Sequence, residues 1–271
     1  ARIEPWLCLY HWDLPQGIED LGGWTSRDCA GWFTDYAAIV ARRYGDRVKR
    51  FATFNEPAVF TLFGYGFGSS PPQKRGTEPL AAAIHHVNLA HGGAVDVVRA
   101  LVPGASIGGI HNCQPCFPAS PEDGDAAELF GAYWNLAFPD PQCLGTYPAR
   151  LADSMAPFIQ AGDMARICRP VDWFGLNHYS PTYIRVDSGS PLGCSFGHAP
   201  PDVAQTPINW PIQPEAFRDT ILDVSTRYGL PVYVTENGFG GHEQPSPAGQ
   251  ILDPERIAYL KAYTGALHKA L

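Results

Sequence analysis

The stretch Arg50-Phe51-Ala52-Thr53-Phe54-Asn55-Glu56-Pro57 carries the pattern on which the fold turns. Arg50 to Phe54 reads as a short strand, and it stops abruptly on polar residues and a proline. The same figure recurs on both sides of it. Upstream, Pro5-Trp6-Leu7-Cys8-Leu9-Tyr10 is a continuous apolar run, as in a strand buried on both faces, and it ends in His11-Trp12-Asp13. Downstream, Ser106 to Ile110 reads as a third strand, weakened by Gly108-Gly109, and ends in His111-Asn112. Trp173 to Leu176 leads into Asn177-His178-Tyr179, and Pro231 to Thr235 leads into Glu236-Asn237-Gly238.

Segments of helical period separate these runs. Phe33, Ala37, Val40 and Tyr44 repeat on one face of a helix starting at Ser26 and ended by Gly45. Thr77-Glu78-Pro79 caps a second, carried by Leu80, Ile84, Val87, Val95, Val98 and Leu101. Further helices are predicted over Asp125 to Phe138, Asp163 to Cys168 and Pro214 to Tyr228. The stripe Ile257, Leu260, Thr264, Leu267 and Leu271 marks the buried face of a last one. Strand and helix in rotation predict an α/β fold with a parallel sheet. Pro/Gly-rich stretches at Gly64–Gly76, Pro115–Gly124, Ser188–Pro214 and Gly238–Gly249 follow strand ends, where such folds place binding and catalytic loops. They read as functional loops rather than linkers, so residues 1–271 form a single domain.

Composition narrows the function. The 271 residues are 45% apolar and 12% aromatic, enough for a substantial core. A net charge of −8 argues against a nucleic-acid partner. No apolar run approaches the roughly 20 residues of a membrane span. Seven cysteines, an odd number in a chain this long, do not describe a disulfide-stapled scaffold.

Five strands ending in polar clusters point to one functional rim, because carboxylates at strand ends cost desolvation unless they are paired or used. Glu56 and Glu236, far apart in sequence, each stand at the first position after an apolar run. Two carboxyls on one rim are what cleavage of a glycosidic bond requires: one protonated to donate to the leaving oxygen, one ionised to attack carbon or activate water. Their separation, which decides between retention and inversion, is open at this point.

Three motifs in order resemble signatures of the family 1 glycoside hydrolases, the β-glucosidase family. They are Leu9-Tyr10-His11-Trp12-Asp13-Leu14-Pro15-Gln16, Thr53-Phe54-Asn55-Glu56-Pro57 and Val234-Thr235-Glu236-Asn237-Gly238. Asp172 to Tyr179 and the Asp140 to Pro148 segment extend the resemblance, which runs from Ile3 to the C-terminus. It implies a (β/α)₈ barrel of the TIM type and hydrolysis of β-linked glucosides or related small saccharides with retention, without cofactor or metal. It also implies roles. Glu56 resembles the acid/base and Glu236 the nucleophile. Asn55 would bind the sugar 2-hydroxyl. His11 and Trp12 would bind the sugar ring, Trp12 through its indole N–H or its face. Tyr179 would donate to the nucleophile, and Asn177 would lie beside it or touch sugar. His178 departs from the family, which often has Tyr there. Thioglucosidases of the family carry Gln as acid/base, whereas this chain has Glu56; Asn177 favours an unphosphorylated sugar.

By the same resemblance, only strands like the family's third to seventh are present. A first strand with a sugar-binding Gln should precede Ala1, and an eighth with Trp and Glu should follow Leu271. The chain would then be a fragment truncated at both ends, roughly three-fifths of a loop-rich barrel domain. Five strands cannot close a barrel, so weak or absent activity is expected for the chain alone. The unpaired cysteines and the bacterial look of the pattern suggest a cytoplasmic location. The alternatives are a non-hydrolytic carbohydrate-binding remnant and another (β/α)₈ retaining glycosidase such as an endo-acting cellulase; the His-Trp-Asp-Leu-Pro motif argues against the latter.

Other signals are better read as structure. Cys113-Gln114-Pro115-Cys116 lacks the second ligand pair of a zinc site. His85, His86 and His91 fit a helix packed on the barrel. Gly64-Tyr65-Gly66-Phe67-Gly68 lacks the remainder of a phosphate-binding motif and, with Phe60 and Phe63 nearby, suggests a loop on the aglycone side.

Overall fold

The computed structural model describes residues 3–271. Its strands are β1 (Trp6–Cys8), β2 (Arg50–Asn55), β3 (Ser106–Asn112), β4 (Cys116–Pro118), β5 (Trp173–Asn177), β6 (Thr182–Val186), β7 (Cys194–Phe196) and β8 (Val232–Glu236). Five form one sheet in the order β1-β2-β3-β5-β8, parallel throughout. Laid flat, the outer strands of such a sheet would lie about 19 Å apart. Instead the rings of Trp6 on β1 and Tyr233 on β8 approach to 5.0 Å, and both meet Trp173 of β5. The sheet is curled into a half-barrel with an aromatic floor.

The crossovers are helical, as the apolar spacing requires. The helix Asp28–Tyr44 buries Phe33, Ala37 and Val40 but leaves Tyr44 exposed. It packs on the long helix Thr77–Leu101, in which every residue from Leu80 to Val95 is buried. That helix keeps its buried histidines bonded. His91 meets the Thr53 hydroxyl, His86 the Trp24 carbonyl, and His85 lies between Tyr147 and Asp163. The paired glycines of β3 do not interrupt it: the Trp173 indole lies over Gly108, where a Cβ would collide with the ring. The helix Pro214–Tyr228 forms as the sequence predicts.

Three expectations need correction. The first apolar run pairs over only three residues and is an edge strand, so Trp6 is 40% exposed rather than buried on both faces. The stretches Pro115–Gly124 and Ser188–Pro214 are not wholly loop. β4 and β7, with β6, build a second sheet, parallel between β4 and β6 and antiparallel between β6 and β7. Each of these strands is five residues or shorter and lies among prolines and glycines, which hid the alternation. In the last helix, Pro254–Ala270, the apolar stripe faces outward: Ile257 is 61% and Leu260 42% exposed. Tyr259, Tyr263 and Ala266 form the buried face instead, against Phe217, Ile221 and Val224.

Candidate active site

Glu56 follows β2 in the left-handed region, with φ 47° and ψ 58°, and caps the short helix Pro57–Thr61. Two backbone bonds hold this bend: Glu56 N–H donates to the Ile110 carbonyl at 2.8 Å and Asn55 N–H to the Tyr10 carbonyl at 2.9 Å. These bonds to β3 and to the segment just beyond β1 hold Glu56 in a backbone conformation uncommon for any residue but glycine. Glu236 is the last residue of β8, its carbonyl accepting His178 N–H at 3.0 Å. Both carboxyls line one cavity of about 820 Å³, together with His11, Trp12 and Tyr179.

The two carboxyls have unlike surroundings. Burial raises the Glu56 carboxyl to about 7, and the charge of Glu236 adds to the rise. A hydrogen bond of 2.9 Å from Asn177 Nδ2 to Glu56 Oε1 opposes it. Glu236 is half-buried and accepts the Tyr179 hydroxyl at 2.6 Å. Burial, then the bond to Glu236 and its charge, raise the Tyr179 phenol above its ordinary range, so it stays a donor. Tyr179 is held in turn through its carbonyl, which accepts the hydroxyls of Tyr259 at 2.9 Å and Tyr263 at 3.3 Å.

The remaining candidates divide into wall and floor. His11 and Trp12 lie on the wall. The Trp12 indole N–H, however, is donated to the Asn55 carbonyl at 3.0 Å, so of the two modes expected for Trp12 only the ring face is available. Asn55 and Asn177 lie beneath the cavity, 2% and 0% exposed. Asn177 Nδ2 also bonds Asn55 Oδ1 at 3.1 Å, and Asn55 Nδ2 lies 3.3 Å from His11 Nε2. His178, where the resemblance expects Tyr, is wholly buried against Phe217, with Nδ1 at 2.9 Å from the Cys113 carbonyl and Nε2 buried without a partner.

Sequence reading missed part of the wall. His111 and Asn112 were one polar cluster, but successive strand residues face opposite ways. His111 is buried against Phe174, and burial pushes its imidazole down to about 3, whereas Asn112 lines the cavity. Asn112 Oδ1 and Trp134 Nε1 are buried without a hydrogen-bond partner in that wall. Trp134 and Phe63 come from two π turns, Ala132–Leu136 and Leu62–Gly66, and their rings meet edge-on at 6.2 Å. The glycine-rich segment is thus partly helical, and Phe63 does face the cavity. Phe196 and Trp210 extend this aromatic side. A π turn carries no motif of its own, so neither Trp134 nor Phe63 had a distinguishing pattern.

Cys113 and Cys116 are free thiols, and burial pushes that of Cys116 up to about 12, which makes it inert. Among the described residues, no three His, Cys, Asp or Glu side chains are grouped to hold a metal ion, and no helix is long and apolar enough to cross a membrane.

With this geometry established, comparison with known proteins gives one consistent result. The model of glycosyl hydrolase family 1 matches residues 1–271. The chain is 36% identical to a β-glucosidase of an Agrobacterium species, over 97% of its own length and 59% of that protein's. A psychrophilic β-glucosidase from Micrococcus antarcticus superposes with a TM-score of 0.90 at 35% identity, covering 98% of this chain and 63% of the other. The β-glucosidase from Thermotoga maritima in complex with deoxynojirimycin gives 0.89 at 34% identity, covering 99% and 62%. The chain therefore spans about three-fifths of the length of the curated relatives it matches. Its five-stranded sheet is a parallel half of a (β/α)₈ barrel.

Proposed function

The chain belongs to glycosyl hydrolase family 1, and from that premise we propose that it carries the two catalytic carboxyls of a retaining β-glycosidase of the β-glucosidase type. The observation that supports this most directly is one cavity lined by two carboxyls in contrasting environments, a buried one raised to about 7 and one held by a phenol. Glu56, protonated near neutrality, donates its proton to the glycosidic oxygen as the bond to the anomeric carbon breaks. Glu236 attacks that carbon as a carboxylate and forms a covalent glycosyl ester. Glu56, now ionised, takes a proton from water as the water oxygen attacks the anomeric carbon on the face opposite Glu236. The bond from that carbon to the Glu236 oxygen breaks, the carboxylate is released, and the sugar leaves with its original configuration. Tyr179 fixes the Glu236 oxygen that it bonds and leaves the other for attack.

His11 and the face of Trp12 bound the sugar, with Asn55 beneath them. Asn112 and Trp134 belong to the same wall. The rings of Phe63, Trp134, Phe196 and Trp210 suit the leaving group's side. The substrate class is a β-linked glucoside or a related small saccharide. Weak or absent turnover is expected from the 271-residue chain, whose sheet leaves β1 and β8 as exposed edge strands. Seven unpaired cysteines support a reducing, cytoplasmic setting.

The test does not need rapid turnover. Incubation with a 2-deoxy-2-fluoro-β-glucoside bearing an activated leaving group should add one fluoroglycosyl mass to the peptide containing Glu236. Glu236→Gln should abolish the adduct. Retained saccharide binding with no adduct on the wild-type chain would replace this reading by that of a non-hydrolytic carbohydrate binder.

A further inference from the structure

Asn177, at the end of β5, is wholly buried, and its amide links three strands. Nδ2 donates to Glu56 Oε1 at 2.9 Å and to Asn55 Oδ1 at 3.1 Å, both at the end of β2. Oδ1 accepts the hydroxyl of Thr235, on β8, at 2.6 Å. The ladder between β5 and β8 is irregular at this point. Leu176 pairs with Val234 and Asn177 with Glu236, so Thr235 has no opposite residue. It is the extra residue of a β-bulge, a device that re-aims a side chain out of strict alternation.

We propose that Thr235 is a positioning residue for Glu56, acting through the Asn177 amide. The hydroxyl holds Oδ1, and the N–H₂ edge of the amide is thereby presented to the acid. Donation into Oδ1 also polarises the amide and strengthens its N–H bond to the Glu56 oxygen. Without the hydroxyl, Oδ1 is a buried acceptor with no donor, the amide is less polarised and less firmly held, and its N–H bond, which favours the ionised carboxylate, weakens. Thr235 thus lowers the proton affinity of an acid that burial raises. The strand bearing one carboxyl tunes the proton of the other. The titratable groups facing Glu56 are Glu236 of β8, Tyr179 beyond β5 and, through Asn55, His11 beyond β1; replacing the hydroxyl by a methyl changes none of them.

The importance of this device for catalysis rests on the proposed role of Glu56, but its test does not. In the full chain with ¹³C-labelled Glu carboxyls, the Glu56 resonance is identified by its loss in Glu56→Gln and titrated by NMR. Thr235→Val, which keeps the shape, should raise its midpoint by about half a unit to one unit, and Thr235→Ser should restore it. In an Asn177→Ala background Thr235→Val should produce no further shift. Thr235→Ala is the second probe and should move the midpoint in the same direction. An unmoved midpoint in the hydroxyl-less variants, or a shift that persists without Asn177, overturns the proposal. If the fluoroglucoside leaves no adduct while Thr235→Val still shifts Glu56, the positioning role stands and the glycosidase reading falls.

Discussion

The middle and the edge of the half-barrel solve different problems with the same kind of strand. β2, β3 and β5 are covered on both sides, and Phe51, Phe54, Ile107, Phe174 and Leu176 are all 0–1% exposed. On the outer strands, Trp6 is 40%, Tyr233 41% and Val234 36% exposed. Each region ends in a carboxyl. The covered middle delivers Glu56, 5% exposed and retaining its proton to about 7. The open edge delivers Glu236, which depends on a neighbouring phenol rather than on burial for its setting. Position in the sheet thus gives two residues of one type unlike settings, the difference on which the proposed division into acid and nucleophile rests.

The packing side of this contrast is the easiest to break. Phe54 stacks on Phe33 at 4.5 Å and touches Tyr10, Trp24 and Phe60. Phe54→Ala should cost about 3–5 kcal/mol of unfolding free energy in chemical denaturation. Trp6 is the larger side chain and meets Trp173, Tyr233 and the Arg50 guanidinium, yet much of it is already in water. Trp6→Ala should cost about 1–2 kcal/mol. Equal costs would mean that the edge is as firmly packed as the middle, and the division would fail.

The electrostatic side makes a pH prediction of somewhat smaller size. The folded chain raises Glu56 from 4.5 to about 7, so the folded state holds this proton more tightly than the unfolded one. Stability from this group is therefore greatest below the unfolded value, falls as pH rises between the two values, and stays reduced above the folded one. Glu56→Gln removes the charge and with it the penalty. Relative to wild type, the variant should gain up to about 3 kcal/mol between pH 4 and pH 8, read from urea unfolding at each pH. A variant whose advantage does not grow with pH would show that Glu56 is not desolvated.

Strand ends were legible in the middle and at the edge alike: short runs stopping on polar residues marked all five strands of the main sheet, with Glu56 and Glu236 among the residues that end them. Which strands lie at the edge was not legible, because the unbroken apolar run Pro5 to Tyr10 belongs to the half-exposed β1. Five of the seven candidate residues reach the cavity wall: His11, Trp12, Glu56, Tyr179 and Glu236. Asn55 and Asn177 went under it because bonds to neighbours, which no motif spells out, occupy their amides. Legibility failed where a pattern depends on partners remote in sequence. The stripe Ile257 to Leu271 has helical spacing, but the neighbours of that helix choose Tyr259 and Tyr263 for the inside, because their hydroxyls find a carbonyl there. Trp134 and Phe63 depend on π turns, and Thr235 on a bulge, irregularities visible only when the chain is folded.

Those two tyrosines supply the finest test of how the edge keeps its carboxyl in place. The hydroxyls of Tyr259 and Tyr263 converge on the Tyr179 carbonyl, and the rings stack at 3.9 Å. Tyr259 also accepts the Asn237 amide at 3.1 Å, and Asn237 donates to the His178 carbonyl at 2.7 Å, so the residues flanking Glu236 and Tyr179 are tied to one helix. Tyr259→Phe or Tyr263→Phe removes one of two donors from a shared acceptor and keeps the ring, and each should cost about 1 kcal/mol in stability. The double variant leaves the carbonyl with neither, and its cost should exceed the sum of the single costs. It should also slow fluoroglycosyl labelling of Glu236 more than either single change does, because Tyr179 then loses the anchor that aims its phenol. Strict additivity, with unchanged labelling, would mean that Tyr179 is held by its own ring packing against Trp210, whose centroid lies 5.3 Å away, and that the last helix contributes packing alone.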